Sequence, residues 1–344
     1  MFRPRSHQYL GFADDFGPRF MVFVDTEEEF DWTGPRRRDS TSVTAVRALP
    51  YIHELMRSYG AEPAYLVDHP VATDDSAVAI LRSFLDAGGT SVGAQLHPWV
   101  NPPFIERVDA KNSFVGNLPK GVERAKLSVL TNEIENAFGA RPIVYRAGRY
   151  GVGPNSEALL DELGYRLDVS VRPFFDYAAE GGPNFRGIVP RPYWTGPEQR
   201  LVELPLSTVF TGGLRGVGER AFRMASAVPH LNGFLSRSRL LSRVALTPEG
   251  IPVAEAERAV DRLVADRADI IAISFHSPSV EPGNTPYVRD DAELQLFYSW
   301  FHRVFERLLN HGARPIGVDD FLAACAQQRG PEAAMRVEAS ADRA

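Results

Sequence analysis

The stretch FMVFVD, residues 20–25, consists of five apolar residues followed at once by a carboxylate. An apolar run of this length, rich in β-branched and aromatic side chains, is typical of a strand buried on both faces. Runs of the same kind recur along the chain. They predict strands at residues 20–24, 63–67, 91–96, 143–146, 166–171, 201–205, 270–275 and 315–318.

Helical patterns separate most of these predicted strands. The clearest covers residues 290–309, where Leu294, Phe297, Phe301 and Leu308 follow helical spacing. The other predicted helices lie at residues 43–59, 75–87, 122–138, 156–163 and 254–266. Strands that alternate with helices indicate β/α units, so we predict an α/β fold, a distorted β/α barrel of seven or eight strands.

The chain has 344 residues, more than the roughly 250 of an ordinary β/α barrel. We therefore predict one barrel domain at residues 20–328 that carries an irregular insertion at about residues 172–250. Pro, Gly and aromatic residues are frequent in the first part of that insertion. Residues 1–19 are predicted to form an N-terminal extension, and residues 329–344 a flexible C-terminal tail.

The charge balance excludes some classes of protein. The chain carries 44 acidic and 38 basic side chains, a formal net charge of −6 at pH 7. This argues against binding to nucleic acid or anionic lipid through overall positive charge. No apolar run approaches the roughly 20 residues that span a bilayer, and the first residues lead into no hydrophobic stretch of a signal peptide. We therefore expect no membrane insertion and a cytoplasmic location, while the oligomeric state stays open.

Side chains with catalytic or metal-binding chemistry follow five of the predicted strands directly. They are Asp25, Asp68, His69, His97, Arg146 and His276. In a barrel of parallel strands these ends meet on one face, where barrel enzymes have their active sites. Polar residues also mark strand ends simply because loops begin there. Five strands that end in this way nevertheless favour a functional site.

Two pairs of polar residues have the spacing of side chains on one side of an extended chain. Asp25 and Glu27 are two positions apart, and so are Gln95 and His97. Cys325 is the only cysteine, so any metal must be held by histidine and carboxylate ligands. These groups suit zinc or a similar divalent ion, which in catalytic sites takes three protein ligands and a water.

Four short segments resemble, in order, the motifs of a known enzyme family. They are FVDTE at residues 23–27, GAQLHPW at 93–99, YRAGRYG at 145–151 and ISFH at 273–276. They resemble motifs of the polysaccharide deacetylases (the NodB-homology domain, carbohydrate esterase family four), in particular the subgroup with a His-Pro-Trp loop. The segment DVS at residues 168–170 resembles the family's remaining aspartate motif. The resemblance covers about residues 20–322, and it implies a distorted β/α barrel that removes acetyl groups from N-acetylated sugars, generally with a divalent metal.

The resemblance also implies catalytic roles at matching positions. Asp25 is similar to the general base, and Arg146 to the arginine that holds this carboxylate. His276 is similar to the general acid, with Asp168 as its orienting partner. The main-chain amide near Tyr150 is expected to face the oxyanion that develops in the reaction.

The same resemblance implies a metal site, with two departures from the family pattern. Glu27 stands where a metal-binding carboxylate is expected, but one position later than the usual adjacent aspartate. His97 matches the histidine ligand that precedes a proline, whereas Gln95 stands where a second histidine is usual. His69, at another strand end, is the candidate to complete the shell. The predicted cofactor is a divalent metal, and zinc is the first candidate.

Three aromatic residues are predicted near the site. Trp99 and Phe104 follow His97, and Trp32 follows Asp25. Their rings have the chemistry to stack on a sugar ring, and the alternative is that they cover the barrel mouth by packing on each other.

The predicted function is hydrolysis of a carbon-nitrogen bond that is not a peptide bond, by metal-assisted N-deacetylation of an acetamido sugar. Two alternatives stay open. Gln95 motivates a metal-independent amidohydrolase that acts on a small amide. The other alternative is a non-catalytic carbohydrate-binding protein on the same fold. The expected partner is an acetylated sugar or a small amide, with no nucleic acid.

Overall fold

The computed structural model describes residues 3–13, 15–226 and 240–328, together with residues 235 and 238. The strands of this part of the chain are β1 (Arg19–Thr26), β2 (Ala64–Val67), β3 (Ser91–Leu96), β4 (Val144–Ala147), β5 (Leu167–Asp168), β6 (Tyr193–Thr195), β7 (Leu201–Glu203), β8 (Thr208–Thr211), β9 (Ser242–Ala245), β10 (Ile270–His276) and β11 (Arg314–Pro315). Its α-helices are α1 (Leu49–Ser58), α2 (His69–Thr73), α3 (Asp75–Asp86), α4 (Lys120–Phe138), α5 (Ser156–Glu162), α6 (Gly218–Ser226), α7 (Val253–Ala265), α8 (Asp291–Asn310) and α9 (Val318–Gln327).

Most strands belong to one curled sheet. Its order is β10-β1-β2-β3-β4-β5-β7-β6, β11 pairs with β1, and all neighbours are parallel except β6 and β7. β8 and β9 form a separate antiparallel pair.

Hydrogen bonds from the segments after β7 and β9 reach back to β10. The Ser207 amide donates to the carbonyl of Ala272 (3.3 Å), and the Ala272 amide donates to Ser207 Oγ (2.9 Å). The Ser274 amide donates to the carbonyl of Leu246 (3.2 Å). These bonds connect the two sides of the curled sheet, so the predicted distorted β/α barrel is confirmed.

Alternation along the strands divides the apolar side chains into two cores. One core lies inside the barrel and contains Met21, Phe23, Leu66, Val144, Leu167, Val202, Ile270 and Ala272. The other lies between the sheet and the helices and contains Phe20, Val22, Val24, Tyr65, Tyr145, Ile271 and Ile273. Because successive side chains point to opposite faces, a polar residue two positions beyond an inner apolar residue points inward at the carboxyl end of its strand.

The helices pack their apolar stripes on the outer face of the sheet. In α8, Phe301, Val304 and Leu308 are buried at the predicted spacing. The Asp290 carboxylate accepts the Glu293 amide (2.9 Å) and so fixes the start of this helix.

Every predicted strand has a counterpart, but the structure contains elements that were not predicted. The strand predicted at residues 166–171 is only the two-residue β5. β6, β8 and β9 lie in the segment at residues 172–250, and α2 was also missed. Elements of three to five residues carry too little periodicity to detect, and they form because a neighbouring strand or turn supplies their hydrogen bonds.

The N-terminal segment packs on the barrel. Leu10 is buried, and its amide donates to the carbonyl of Pro192 (2.9 Å). Phe12 stacks on Phe16, with ring centroids 4.4 Å apart. The tail predicted at residues 329–344 lies outside the described residues, as does the part of the insertion at residues 227–234. Among the described helices, none is long and apolar enough to cross a membrane.

Ser207→Ala tests the closure of the barrel. The substitution removes the acceptor of the Ala272 amide, which lies in the core, so we expect the free energy of unfolding to fall by about 1–3 kcal/mol. Urea unfolding measures the change. The exposed Ser83 bonds only within its own helix, and Ser83→Ala is the matched control, with an expected change within about 0.5 kcal/mol. Equal stability of the two variants would contradict the role given to Ser207.

Candidate active site

A cavity opens at the carboxyl ends of the parallel strands, with a volume of about 960 Å³ that includes open solvent at its mouth. Its lining includes six of the polar residues discussed for the sequence: Asp25, Glu27, Gln95, His97, Arg146 and His276. The convergence expected from the strand ends is therefore seen in the structure.

Strand register explains which of these side chains meet. Asp25 of β1 pairs in register with His276 of β10, and Gln95 of β3 pairs with Arg146 of β4. Asp25 continues the inward series of Met21 and Phe23. Residues in register on parallel strands point to the same side, so each pair enters the barrel together.

Asp25, Arg146 and His276 form one group of charged side chains within ion-pair distance. Arg146 Nη1 donates to Asp25 Oδ1 at 2.7 Å, and both side chains are at most 2 % exposed. The other carboxylate oxygen, Oδ2, lies 3.4 Å from His276 Nε2. Asp25 is thus held on one side by a buried guanidinium and faces the imidazole on the other.

Glu249 fixes the other nitrogen of His276. Its Oε2 lies 2.6 Å from His276 Nδ1, and its Oε1 accepts the His276 amide (3.0 Å) and the Ser279 hydroxyl (2.6 Å). Burial by itself lowers the pKa of His276, but Glu249, Glu27 and Asp25 together raise it to about 10. The imidazole is therefore protonated at neutral pH, which is the state a general acid needs.

Asp168 does not take the orienting role that the sequence predicts for it. Leu167 faces the barrel interior, so Asp168 points outward, where it bonds to the Ser170 amide (3.1 Å). It lies beside Glu203, its partner in register, and burial raises its pKa to about 7. The alternation along β5 therefore removes Asp168 from the cavity, and Glu249 stands beside His276 instead.

Glu27, Gln95 and His97 form the donor group that faces the cavity. Gln95 Nε2 donates to Glu27 Oε2 (2.8 Å), and His97 Nε2 lies 3.5 Å from the same oxygen. Two ligands of a tetrahedral zinc ion stand about 3.4 Å apart, so this carboxylate and imidazole have the spacing for one ion. Glu27 Oε1 and Gln95 Oε1 are buried and have no hydrogen-bond partner among the residues that the structure describes. The group therefore fits a divalent ion, with Glu27 and His97 as its strong ligands.

Glu28, Asp68 and His97 form a second acidic and histidine group behind the first. One ligand atom of each lies within 4.8 Å of the others, close enough to hold a metal ion. These atoms also have protein partners, because His97 Nδ1 lies 2.7 Å from Glu28 Oε2 and Trp99 Nε1 donates to Glu28 Oε1 (2.6 Å). Asp68 accepts the amides of Glu28 and Val71. Burial raises the pKa of Glu28 to about 8, and burial together with the neighbouring Glu28 raises the pKa of Asp68.

This second group orients His97. A hydrogen on Nδ1 that bonds Glu28 leaves the lone pair of Nε2 directed at the cavity, which is the usual arrangement for a metal-binding histidine. Burial lowers the pKa of His97, which favours the neutral ring that a metal ligand requires.

His69 does not join either donor group. Asp68 caps α2, and the helix then carries His69 toward Glu133 and Lys126. It is absent from the residues that line the cavity. Its predicted role in the metal shell does not fit this position, because the chain turns outward directly after β2.

The three predicted aromatic residues have different surroundings. Trp99 is buried, lines the cavity and stacks on His97, with centroids 4.3 Å apart. Trp32 lines the cavity and meets His276 edge-on at 4.9 Å. Phe104 is 47 % exposed and lies under Arg38 outside the cavity lining, so its predicted contact with substrate does not fit.

Tyr150 lies where the chain turns over the cavity. Arg149 and Tyr150 both adopt positive φ, at 55° and 58°. The Tyr150 ring lies beside Arg146, whose Cζ is 5.8 Å from the ring centroid. The main chain of this turn borders the site, and an oxyanion contact by its amide stays a prediction.

Sequence reasoning missed Glu249 and Glu28. Glu249 follows β9, a strand that was not predicted, so its place after a strand end was hidden. Glu28 is the second of three consecutive glutamates, residues 27–29, and nothing in the sequence distinguishes it from its neighbours. Both act through histidines that were predicted.

Solved structures with a similar fold include a candidate polysaccharide deacetylase from Mycobacterium smegmatis. It is 16 % identical, the alignment covers 94 % of this chain and 96 % of that chain, and the TM-score is 0.53. This is the fold of the polysaccharide deacetylases. An allantoinase has the fold too, at 13 % identity and a TM-score of 0.52 over 91 % of each chain.

The polysaccharide deacetylase fold also occurs in larger enzymes with other names. A 4-α-glucanotransferase from Thermococcus litoralis is 10 % identical with a TM-score of 0.52, and the alignment covers 89 % of this chain but 40 % of that one. No family model matches the sequence, and no curated protein matches it. At these identities the likeness establishes the fold, and the chemistry has to be argued from the cavity.

Glu249→Gln tests which carboxylate holds the charge on His276. Removing this anion lowers the pKa of His276 from about 10, because one of the charges that favour the imidazolium is lost. A nuclear magnetic resonance titration of the histidine ring measures it without a substrate. Asp168→Asn is the matched control and is expected to leave the value unchanged. A fall in Asp168→Asn, or none in Glu249→Gln, would reverse the assignment.

Proposed function

We propose that this protein hydrolyses a carbon-nitrogen bond of an amide that is not a peptide, and that the amide is an N-acetyl group of a sugar. The observation that carries the proposal is the facing pair of Asp25 and His276, 3.4 Å apart in the cavity. Arg146 holds the first and Glu249 the second, so the two can act as base and acid. The deacetylase and the allantoinase that share the fold support this choice.

The reaction follows from this pair. Asp25 takes a proton from water as the water oxygen attacks the amide carbonyl carbon. The carbon-nitrogen bond then breaks, and the amine leaves with the proton that His276 Nε2 donates. The products are acetate and the free amine.

The two steps are coupled through charge. While Asp25 is ionised it helps to keep His276 protonated. Once Asp25 has taken the proton of water, that negative charge is gone and the imidazolium becomes a stronger acid. His276 is then ready to donate when the amine must leave.

Glu27 and His97 are the residues that would hold a divalent ion, with Gln95 beside them. Such an ion would supply a bound water of lowered pKa and a positive charge near the carbonyl oxygen. Zinc is the proposed ion because its spacing and ligand types agree with this pair. The predicted cytoplasmic location stays a prediction.

One observation favours a second candidate, a metal-independent amidohydrolase. The Gln95 amide nitrogen donates to Glu27 Oε2 and lies 3.4 Å from His97 Nε2. In this orientation the amide fills the place between the two ligands and joins them without a cation. The metal content of the protein distinguishes the two candidates.

Asp25→Asn tests the proposed reaction. Acetate release from N-acetylglucosamine oligomers, and amine release from small amides, is expected to fall by about 10²–10⁴ because the base is lost. Asp39 is exposed and paired with Arg37, and Asp39→Asn is the control that keeps full activity. If wild-type protein binds the sugars but shows no turnover with added zinc, cobalt or nickel, the protein is a carbohydrate-binding protein and the hydrolase proposal fails.

Gln95→His tests the metal site. A second imidazole beside Glu27 and His97 completes three strong ligands, so zinc affinity is expected to rise at least about tenfold. Calorimetric titration with zinc measures it, and Gln95→Asn is the control that adds no imidazole. Zinc binding absent from both the wild type and Gln95→His would contradict the metal site and leave the metal-independent candidate.

A further inference from the structure

Four arginines line the cavity, and they differ in their partners. Arg146 is paired with Asp25, and Arg149 with Glu180. Among the described residues, no carboxylate lies within ion-pair distance of Arg36 or Arg172. Arg36 is nevertheless engaged, because its Nη1 donates to two main-chain carbonyls of its own loop. Arg172 is therefore a cation of the cavity wall that has neither an acidic partner among the described residues nor a main-chain carbonyl bond like those of Arg36.

The surroundings of Arg172 hold it in place but do not neutralise it. Its Nη1 donates to the Tyr177 hydroxyl (3.2 Å), and its Nε is buried with no hydrogen-bond partner in the described part of the chain. Its guanidinium lies on the ring of Phe175 at 4.0 Å and beside that of Tyr150 at 5.1 Å. Aromatic faces and one neutral hydroxyl orient the group and leave its charge uncompensated.

A second guanidinium adds to this positive charge. Arg243 lies 3.5 Å from the same Phe175 ring and donates to the carbonyl of Phe174 (2.8 Å). Burial and the neighbouring Arg172 lower its pKa to about 10. Within the described residues neither guanidinium has an acidic partner in contact. Two like charges that share one ring are costly unless an anion joins them.

The position of Arg172 relies on the catalytic group described above. The Cζ atoms of Arg146 and Arg172 lie 5.8 Å and 5.1 Å from the centroid of the same Tyr150 ring, so Arg172 is near the guanidinium that holds Asp25. Tyr177 and Tyr287 line the same cavity. An amide that reacts at Asp25 can therefore carry a substituent that reaches Arg172.

We infer that Arg172 binds an anionic oxygen group of the substrate, a carboxylate or a phosphate, next to the amide that is cleaved. The inference rests on the proposed function for the identity of the reacting bond. The planar guanidinium offers two parallel N–H groups to such an anion, and the hydroxyl of Tyr177 adds a further donor. The preferred substrate is then an N-acylated sugar acid or sugar phosphate rather than a neutral sugar.

Anion binding at Arg172 is testable without turnover. The Nε–Hε resonance of Arg172, assigned by its loss in Arg172→Lys, is followed while wild-type protein is titrated at constant ionic strength with acetate, methyl phosphate or neutral acetamide. We expect a saturable shift with at least one anion and an affinity for acetamide at least about tenfold weaker. The tighter anion identifies the carboxylate or the phosphate. No saturable shift with either anion, or an equal response to acetamide, overturns the inference.

Kinetics separates this inference from the proposed function. With N-acetylglucosamine 6-phosphate and N-acetylmuramic acid, Arg172→Gln is expected to raise KM at least about tenfold with little change in kcat, a larger rise in KM than for neutral N-acetylglucosamine oligomers. Arg141 is exposed and paired with Glu135, and Arg141→Gln is the control. Hydrolysis of neutral sugars with an unresponsive Arg172 resonance disproves the anion site alone. A responsive resonance without hydrolysis of any amide disproves the proposed function alone.

Discussion

The parallel register of β1 and β10 is the constraint on which the site depends. It sets Asp25 opposite His276. Next to this pair, the Glu27 amide donates to the hydroxyl of Ser277, a residue 250 positions further along the chain. A slip of one residue would turn Asp25 toward the helices and bring Val24 into the cavity. The bonds of Ser207 to Ala272 hold β10 from its other side, so closure of the barrel also fixes the position of the acid.

The chemistry of the site follows from the excess of buried carboxylates. Asp25, Glu27, Glu28, Asp68 and Glu249 are all buried, and His97, Arg146 and His276 are the cationic or imidazole groups in contact with them. Burial raises the pKa of Glu27 to about 7 and that of Glu28 to about 8, so nearby protons or cations stabilise these groups. The proton on His276 is favoured by the surrounding carboxylates, which is why the pKa of this histidine rises so far. A divalent ion would also stabilise the carboxylate of Glu27, and the amide of Gln95 does so by a hydrogen bond without carrying a charge.

The fold itself does not choose the reaction. A deacetylase, an allantoinase and a glucanotransferase share it with this chain at 10–16 % identity. The chemistry therefore has to come from the side chains at the strand ends. In this chain the cavity combines the proposed base Asp25 and the proposed acid His276 with the candidate metal ligands, and Arg172 has no acidic partner within the described residues.

The sequence alone predicted eight of the eleven described strands and the residues Asp25, Gln95, His97, Arg146 and His276 that meet in the cavity, because apolar runs and the side chains that end them are local features. It could not determine which way each polar side chain faces. Asp168 and His69 stand at strand ends as Asp25 does, but the alternation of β5 and the start of α2 turn them away from the barrel. Glu249 lies in the loop after β9, a short strand that is stabilised by its pairing with β8. Tertiary structure decided these positions, since the direction of a side chain depends on the register and closure of strands that are distant in sequence.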